Sequence, residues 1–304
     1  MSIALLAEQV VIFMSVIGLG LVAQRASILD EATTQKLSAL IMNVTLPCTL
    51  LHAADSVEGD GRTMLACAVF WVVYYVVMIL IMELYCKIAA IPPGKRAVIN
   101  SMVVFPNVVF IGVPMVQAVL GKEALVYTVI AMMIYNFSFL FYVPPMFSKG
   151  ERVTWRSVFT PVNVSAVLMG VMIVANLRLP SVLDAIVGQA GQVTMPLALM
   201  IIGAMLGRSD LLRILRSREL YLISALRLLV VPAVVAYITF RLGWPPMLRM
   251  VCIIGAACPA GNLAAVVALQ KDTEAAFASE AVVHSTMWSV LTMPVVIWCA
   301  GLIP

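Results

Sequence analysis

The chain is 304 residues long, 63% hydrophobic and only 11% charged, with a mean hydropathy of +1.06. A soluble domain carries roughly 25% charged residues, so soluble enzymes and soluble binding modules are excluded and a polytopic membrane protein is indicated. The formal charge of +4 is expected from basic loops on one side of a bilayer rather than from affinity for nucleic acid.

Ten apolar stretches, at about 3–23, 33–53, 64–85, 97–119, 124–143, 158–176, 181–206, 219–240, 247–269 and 277–300, each approach the roughly 20 residues needed to cross a hydrocarbon core. The first lacks a basic leader and a cleavage site, so it reads as a retained span. Basic residues fall mainly in the odd-numbered loops and their flanks: Arg25, Lys36, Lys87, Lys95, Arg96, Lys149, Arg152, Arg156, Arg208, Arg213, Arg216, Arg218 and Lys271. The even-numbered set holds Arg62, Lys122, Arg178, Arg241 and Arg249. This bias puts the odd loops in the cytoplasm and both termini outside. The six cysteines are scattered without paired spacing, which suggests neither a disulfide framework nor a zinc site, and no cofactor is expected.

Two spans are interrupted. Span 4, from Arg96 to Gly121, contains Phe105-Pro106-Asn107 near its middle, and span 9, from Arg249 to Lys271, contains Pro259-Ala260-Gly261-Asn262. Proline deletes a backbone donor and clashes with the preceding turn. Freed peptide groups survive in a bilayer only where protein or a water-filled cavity satisfies them. Broken spans in matching positions of two halves point to a secondary transporter built from inverted repeats. Leu46-Pro47 in span 2 is answered by Met195-Pro196 in span 7, and Gly121-Lys122-Glu123-Ala124 by Lys271-Asp272-Thr273-Glu274-Ala275. The expected organisation is a first five-helix repeat over 1–143, a cytoplasmic linker over 144–157, and a second, inverted repeat over 158–304.

Each half-helix that begins after a break offers unpaired amides and about half a positive charge, a field suited to small carboxylates. The halves that end there offer carbonyls, which suit a coupling cation. Asn107 and Asn262 can each bridge a freed backbone group and a substrate oxygen, or merely cap a broken helix. Asn43 and Thr45 precede Pro47, and Gln192 and Thr194 precede Pro196, so spans 2 and 7 each present a polar pair, either for substrate or for hydrogen bonds between helices. Inside spans, Arg227 either pairs with Glu280 or snorkels to the headgroups. Glu280 and His284 lie one turn apart and could relay a proton. Gly203 and Gly207 allow close helix approach, of the kind a dimer contact would use.

The run Pro106-Asn107-Val108-Val109-Phe110-Ile111-Gly112-Val113-Pro114 followed by Gly121, with Pro259-Ala260-Gly261 and the stretch from Ala278-Ser279 to Pro294, resembles the auxin efflux carrier family, which includes plant auxin carriers and bacterial malonate and related organic-acid carriers. The resemblance implies an all-α fold of the bile-acid-symporter type with ten transmembrane helices, in which broken helices 4 and 9 cross. Spans 1, 2, 6 and 7 would form a dimerising scaffold, and spans 3–5 and 8–10 a mobile transport domain that works as an elevator. A homodimer in the bacterial inner membrane is implied, and the motif supports Asn107 at the substrate, with Pro106, Pro259, Gly261 and Asn262 the further candidates at the crossing. The long cytoplasmic insert of the plant carriers is missing between spans 5 and 6, which makes the bacterial branch the nearer comparison.

The expected function is thus secondary transport of a small organic anion, a mono- or dicarboxylate, with H⁺ or Na⁺ as possible coupling ions. Obligatory Na⁺ coupling is disfavoured, because no acidic cluster accompanies the crossing. The alternative is a membrane sensor that uses the same pocket. With no phosphate-binding loop, only His52 and His284, and no Gly-x-Ser-x-Gly elbow, an enzyme is not expected.

Overall fold

A computed structural model describes residues 3–54, 61–147, 159–175, 177–209 and 211–302. Most of the expected linker, with Lys149, Arg152 and Arg156, lies outside the described residues. The described residues are helical throughout, joined by turns and one isolated β-bridge. Among the described residues, six helices are long and apolar enough to cross a membrane, and shorter apolar helices include Val108–Leu120 and Pro246–Ala257. The short ones arise largely because the interrupted spans are divided in two.

Contacts divide the chain into two compact units. The first comprises Met1–Cys67, Val109–Met133 and Trp155–Arg208. Its elements are α1 (Ile3–Arg25), α2 (Glu31–Leu40) and α3 (Leu46–Ala54), the region around α6 (Val113–Leu120), α8 (Pro161–Val174), α9 (Ser181–Gln192) and α10 (Thr194–Arg208). Asp30 caps α2 by accepting from the Thr33 amide at 2.7 Å. Hydrogen bonding from Thr33 holds this exposed carboxyl below its ordinary range, because the bonds favour the charged form. Thr160 caps α8 in the same way through the Asn163 amide, with Pro161 in the first turn.

In this unit α1 lies directly against α10. A methyl group placed on Gly203 would run into the Ile17 carbonyl, one on Gly20 into the Met200 carbonyl, and one on Gly207 would meet the Gln24 side chain at 2.6 Å. The Gly203-x-x-x-Gly207 pair is therefore used inside the protomer, against α1, and not on an outer face as a dimer contact would require. Small residues serve here to bring two backbones together.

The second unit comprises Ala68–Val108, Ile134–Thr154 and Ser209–Pro304. It holds most of α4 (Gly61–Ile88), α5 (Pro93–Val104), the end of α7 (Leu125–Phe147), α11 (Leu211–Ile214), α12 (Arg218–Ala225), α13 (Val231–Arg241), α14 (Pro246–Ala257), α15 (Asn262–Gln270) and α16 (Ala275–Gly301). Both α5 and α14 carry proline in their first turn and run twelve residues. Proline is suited to that position because its missing N–H would have had no helical partner.

Prolines also explain three wide turns. The π-helical segments Ile41–Thr45, Val108–Gly112 and Leu226–Val230 each lie just before a proline, at Pro47, Pro114 and Pro232. The ring would strike the carbonyl four residues back, and widening the preceding turn relieves that clash.

Candidate functional site

Both interrupted segments break at their mid-span prolines, and the breaks meet. Pro106 and Ala260 form an antiparallel bridge. The Asn107 amide donates to the Pro259 carbonyl at 2.8 Å, and the Gly261 amide donates to the Phe105 carbonyl at 2.9 Å. The Ala260 amide donates to the Ser285 hydroxyl of α16 at 3.1 Å. Peptide groups released by one break are thus satisfied by the other, as apolar surroundings require. Gly261 permits the approach: a methyl group there would lie 3.1 Å from the Phe105 and Pro106 carbonyls and from the Tyr135 hydroxyl.

Aromatic rings wall the first break. Phe105, fully buried, stacks on Tyr75 with centroids 5.5 Å apart and takes Tyr135 and Phe139 edge-on. Asn107 is 4% exposed. Asn262 is half-buried and is the first residue of α15 rather than its cap, a position held by Gly261. Capping therefore does not explain Asn262.

Arg227 is the group whose setting differs most from expectation. It neither pairs with Glu280 nor snorkels, being 0% exposed. Its Nε donates to the Cys258 carbonyl at 2.9 Å. Nη1 donates to the Tyr74 hydroxyl at 2.8 Å and the Val103 carbonyl at 3.1 Å, and Nη2 to the Gly255 carbonyl at 3.3 Å. Glu280 instead pairs with Arg213 at 3.2 Å. His284, fully buried, shares a 2.7 Å hydrogen bond with Ser224 and packs edge-on to Tyr221. The two residues expected to form a proton relay thus have separate partners.

The polar residues of spans 2 and 7 belong to the first unit, and only two of the four are buried. Thr45 and Thr194 lie inside, whereas Asn43 and Gln192 are exposed. The Asn43 amide bonds back to the Ala39 carbonyl at 2.8 Å. Thr49, which sequence reasoning missed, links the two spans: its hydroxyl lies 2.9 Å from that of Thr194 and donates to the Gly191 carbonyl at 3.0 Å. Its position one turn after Thr45 was the available signal. Two further networks were also missed. His52 is held between Asp184 at 2.6 Å and Lys122 at 2.7 Å. Glu83 accepts from Tyr142 at 2.5 Å and Asn100 at 3.0 Å and pairs with Arg96.

Apolar multi-pass helices with two breaks joined backbone to backbone are the architecture of a membrane transporter. Comparison with known proteins supplies the family. A family model described as "Membrane transport protein" matches residues 5–154 and 146–297. The chain belongs to this membrane transport family, of the auxin efflux carrier type. It is similar to an uncharacterised transporter of Methanothermobacter thermautotrophicus (strain Delta H), with 26% identity over 298 residues, covering 94% of this chain and 96% of that one.

Proposed function

We propose that this transporter is a secondary carrier for a small organic anion, a mono- or dicarboxylate of the malonate kind, that works by alternating access. The observation that carries the reading is the paired break, with Asn107 bonded to Pro259 and Gly261 to Phe105. Half-helices that start after such breaks direct amides and positive dipole ends toward one level. In this reading Asn107 and Asn262 contact substrate oxygens, while Pro106, Pro259 and Gly261 keep the backbone open around them. Asn43, Thr45, Gln192 and Thr194 are the candidate contacts from spans 2 and 7, of which Thr45 and Thr194 are buried and Asn43 and Gln192 exposed.

The chain would be built as ten spans in two inverted repeats, with both termini outside the cytoplasm of a bacterial cell. A mobile domain of spans 3–5 and 8–10 would carry the crossing past a dimeric scaffold of spans 1, 2, 6 and 7, as an elevator. Family membership favours a carrier over an enzyme.

The test is uptake of radiolabelled malonate and related carboxylates into proteoliposomes containing only this protein. Asn107→Ala is expected to cut uptake at least tenfold while leaving the protein monodisperse. Undiminished uptake removes Asn107 from the site. Carboxylate binding without accumulation would favour a sensor.

A further inference from the structure

We infer that Arg227 is the resident cation of the crossing, a fixed charge that fills the place where the two incoming half-helices turn their carbonyl ends, so that no alkali cation is needed there. The argument starts from cost. A guanidinium that is 0% exposed must be compensated, since an uncompensated buried charge costs several kcal/mol. Among the described residues, no carboxylate lies within ion-pair distance of it. Its partners are instead the Val103 carbonyl in the last turn of α5, the Gly255 and Cys258 carbonyls at the end of α14, and the Tyr74 hydroxyl.

Those carbonyls belong to groups that a helix terminus leaves without helical partners. Each helix C-terminus carries roughly half a negative charge, so two of them together offer about one unit, and one guanidinium matches it. In transporters with broken helices, half-helix carbonyl ends are where Na⁺ is held. Here a side chain supplies the charge permanently. Arginine is suited because its planar fork reaches carbonyls on two helices at once, whereas the ammonium of lysine is a single point. The π-helical turn Leu226–Val230 sets Arg227 off the regular helical register, and such turns often accompany functional side chains. The consequence for ion coupling rests on the carrier reading above, but the charge assignment does not.

Thermal unfolding of the purified protein in detergent tests the assignment without any substrate, so its outcome is separate from that of the malonate assay. Salts are compared at matched ionic strength against choline chloride. The wild-type midpoint is expected to be the same in NaCl and choline chloride, and a saturable rise at millimolar Na⁺ overturns the proposal. Arg227→Ala is expected to melt lower and to recover several degrees with 1–20 mM guanidinium chloride, a concentration range that leaves the wild type unmoved. A lowered midpoint that guanidinium does not raise also overturns it. If Arg227→Ala does not fold, Arg227→Lys and Arg227→Gln decide: the charged lysine variant is expected to melt above the neutral glutamine variant, and the reverse order sinks the assignment.

Discussion

Gly261 shows how a single residue can govern the site. Its φ of −77° is open to any amino acid, so its role is spatial: a methyl group would press on two carbonyls and a hydroxyl, all at 3.1 Å. Gly261→Ala is expected to destabilise the protein by about 1–3 kcal/mol, the range for overpacking a filled interior, and to abolish uptake, read by thermal melt and proteoliposome assay. Thr49→Val tests the second polar cluster. Removing a hydroxyl that bridges Gly191 and Thr194 is expected to cost about 1–3 kcal/mol, because buried acceptors lose their donor. Proline and glycine within apolar stretches make the two breaks legible in the sequence, since their backbone consequences are local. The partners of Arg227 were not legible: three of them are backbone carbonyls, and every residue in the chain has one. An acidic partner was the natural expectation, and Glu280 stood at a comparable depth in span 10.

Paired helices carry the next level of organisation, and α1 with α10 is the clearest case. Small residues were readable as a place of close approach, but their spacing does not say which helix approaches. The structure assigns α1, with the Ile17 carbonyl standing where a Gly203 side chain would begin. Gly203→Val is therefore expected to lower the melting temperature sharply, by roughly 5 °C or more given the scale of overpacking penalties. Light scattering in detergent should meanwhile report an unchanged particle mass. A normal melt with an altered mass would return the glycine pair to an interface between copies. Proline-led π-turns belong to this level too. A proline within a span points to distortion, but not to whether it is absorbed by widening a turn, as before Pro47, Pro114 and Pro232, or by breaking the helix, as at Pro106 and Pro259. The breaks differ in having a partner break with which to exchange hydrogen bonds.

At the scale of the whole molecule, composition was enough to place the chain in a bilayer, and the resemblance of its break motifs agreed with the family match. The two contact units rest on contacts distant in sequence, so only the family resemblance, and neither composition nor loop charge, spoke to a division of the spans into two groups. One unit gathers residues from three separate stretches, and so does the other. Loop charges predict that a periplasm-dependent reporter enzyme such as alkaline phosphatase, fused after Pro304, is active, while a reporter that works only in the cytoplasm is silent. The opposite pattern would invert the proposed orientation.

The bonds between Phe105 and Gly261, and between Asn107 and Pro259, join points half the chain or more apart. A ribosome releases the first break long before it makes the second. Until then the nascent protein holds an open wound in an oily environment, with Val103 and Phe105 lacking the groups that finally close it. Maturation must therefore wait on the last third of translation. Fragments 1–150 and 151–304 made separately should be cleared by proteolysis, and made together in one cell they should rescue each other, as immunoblots of membranes would show.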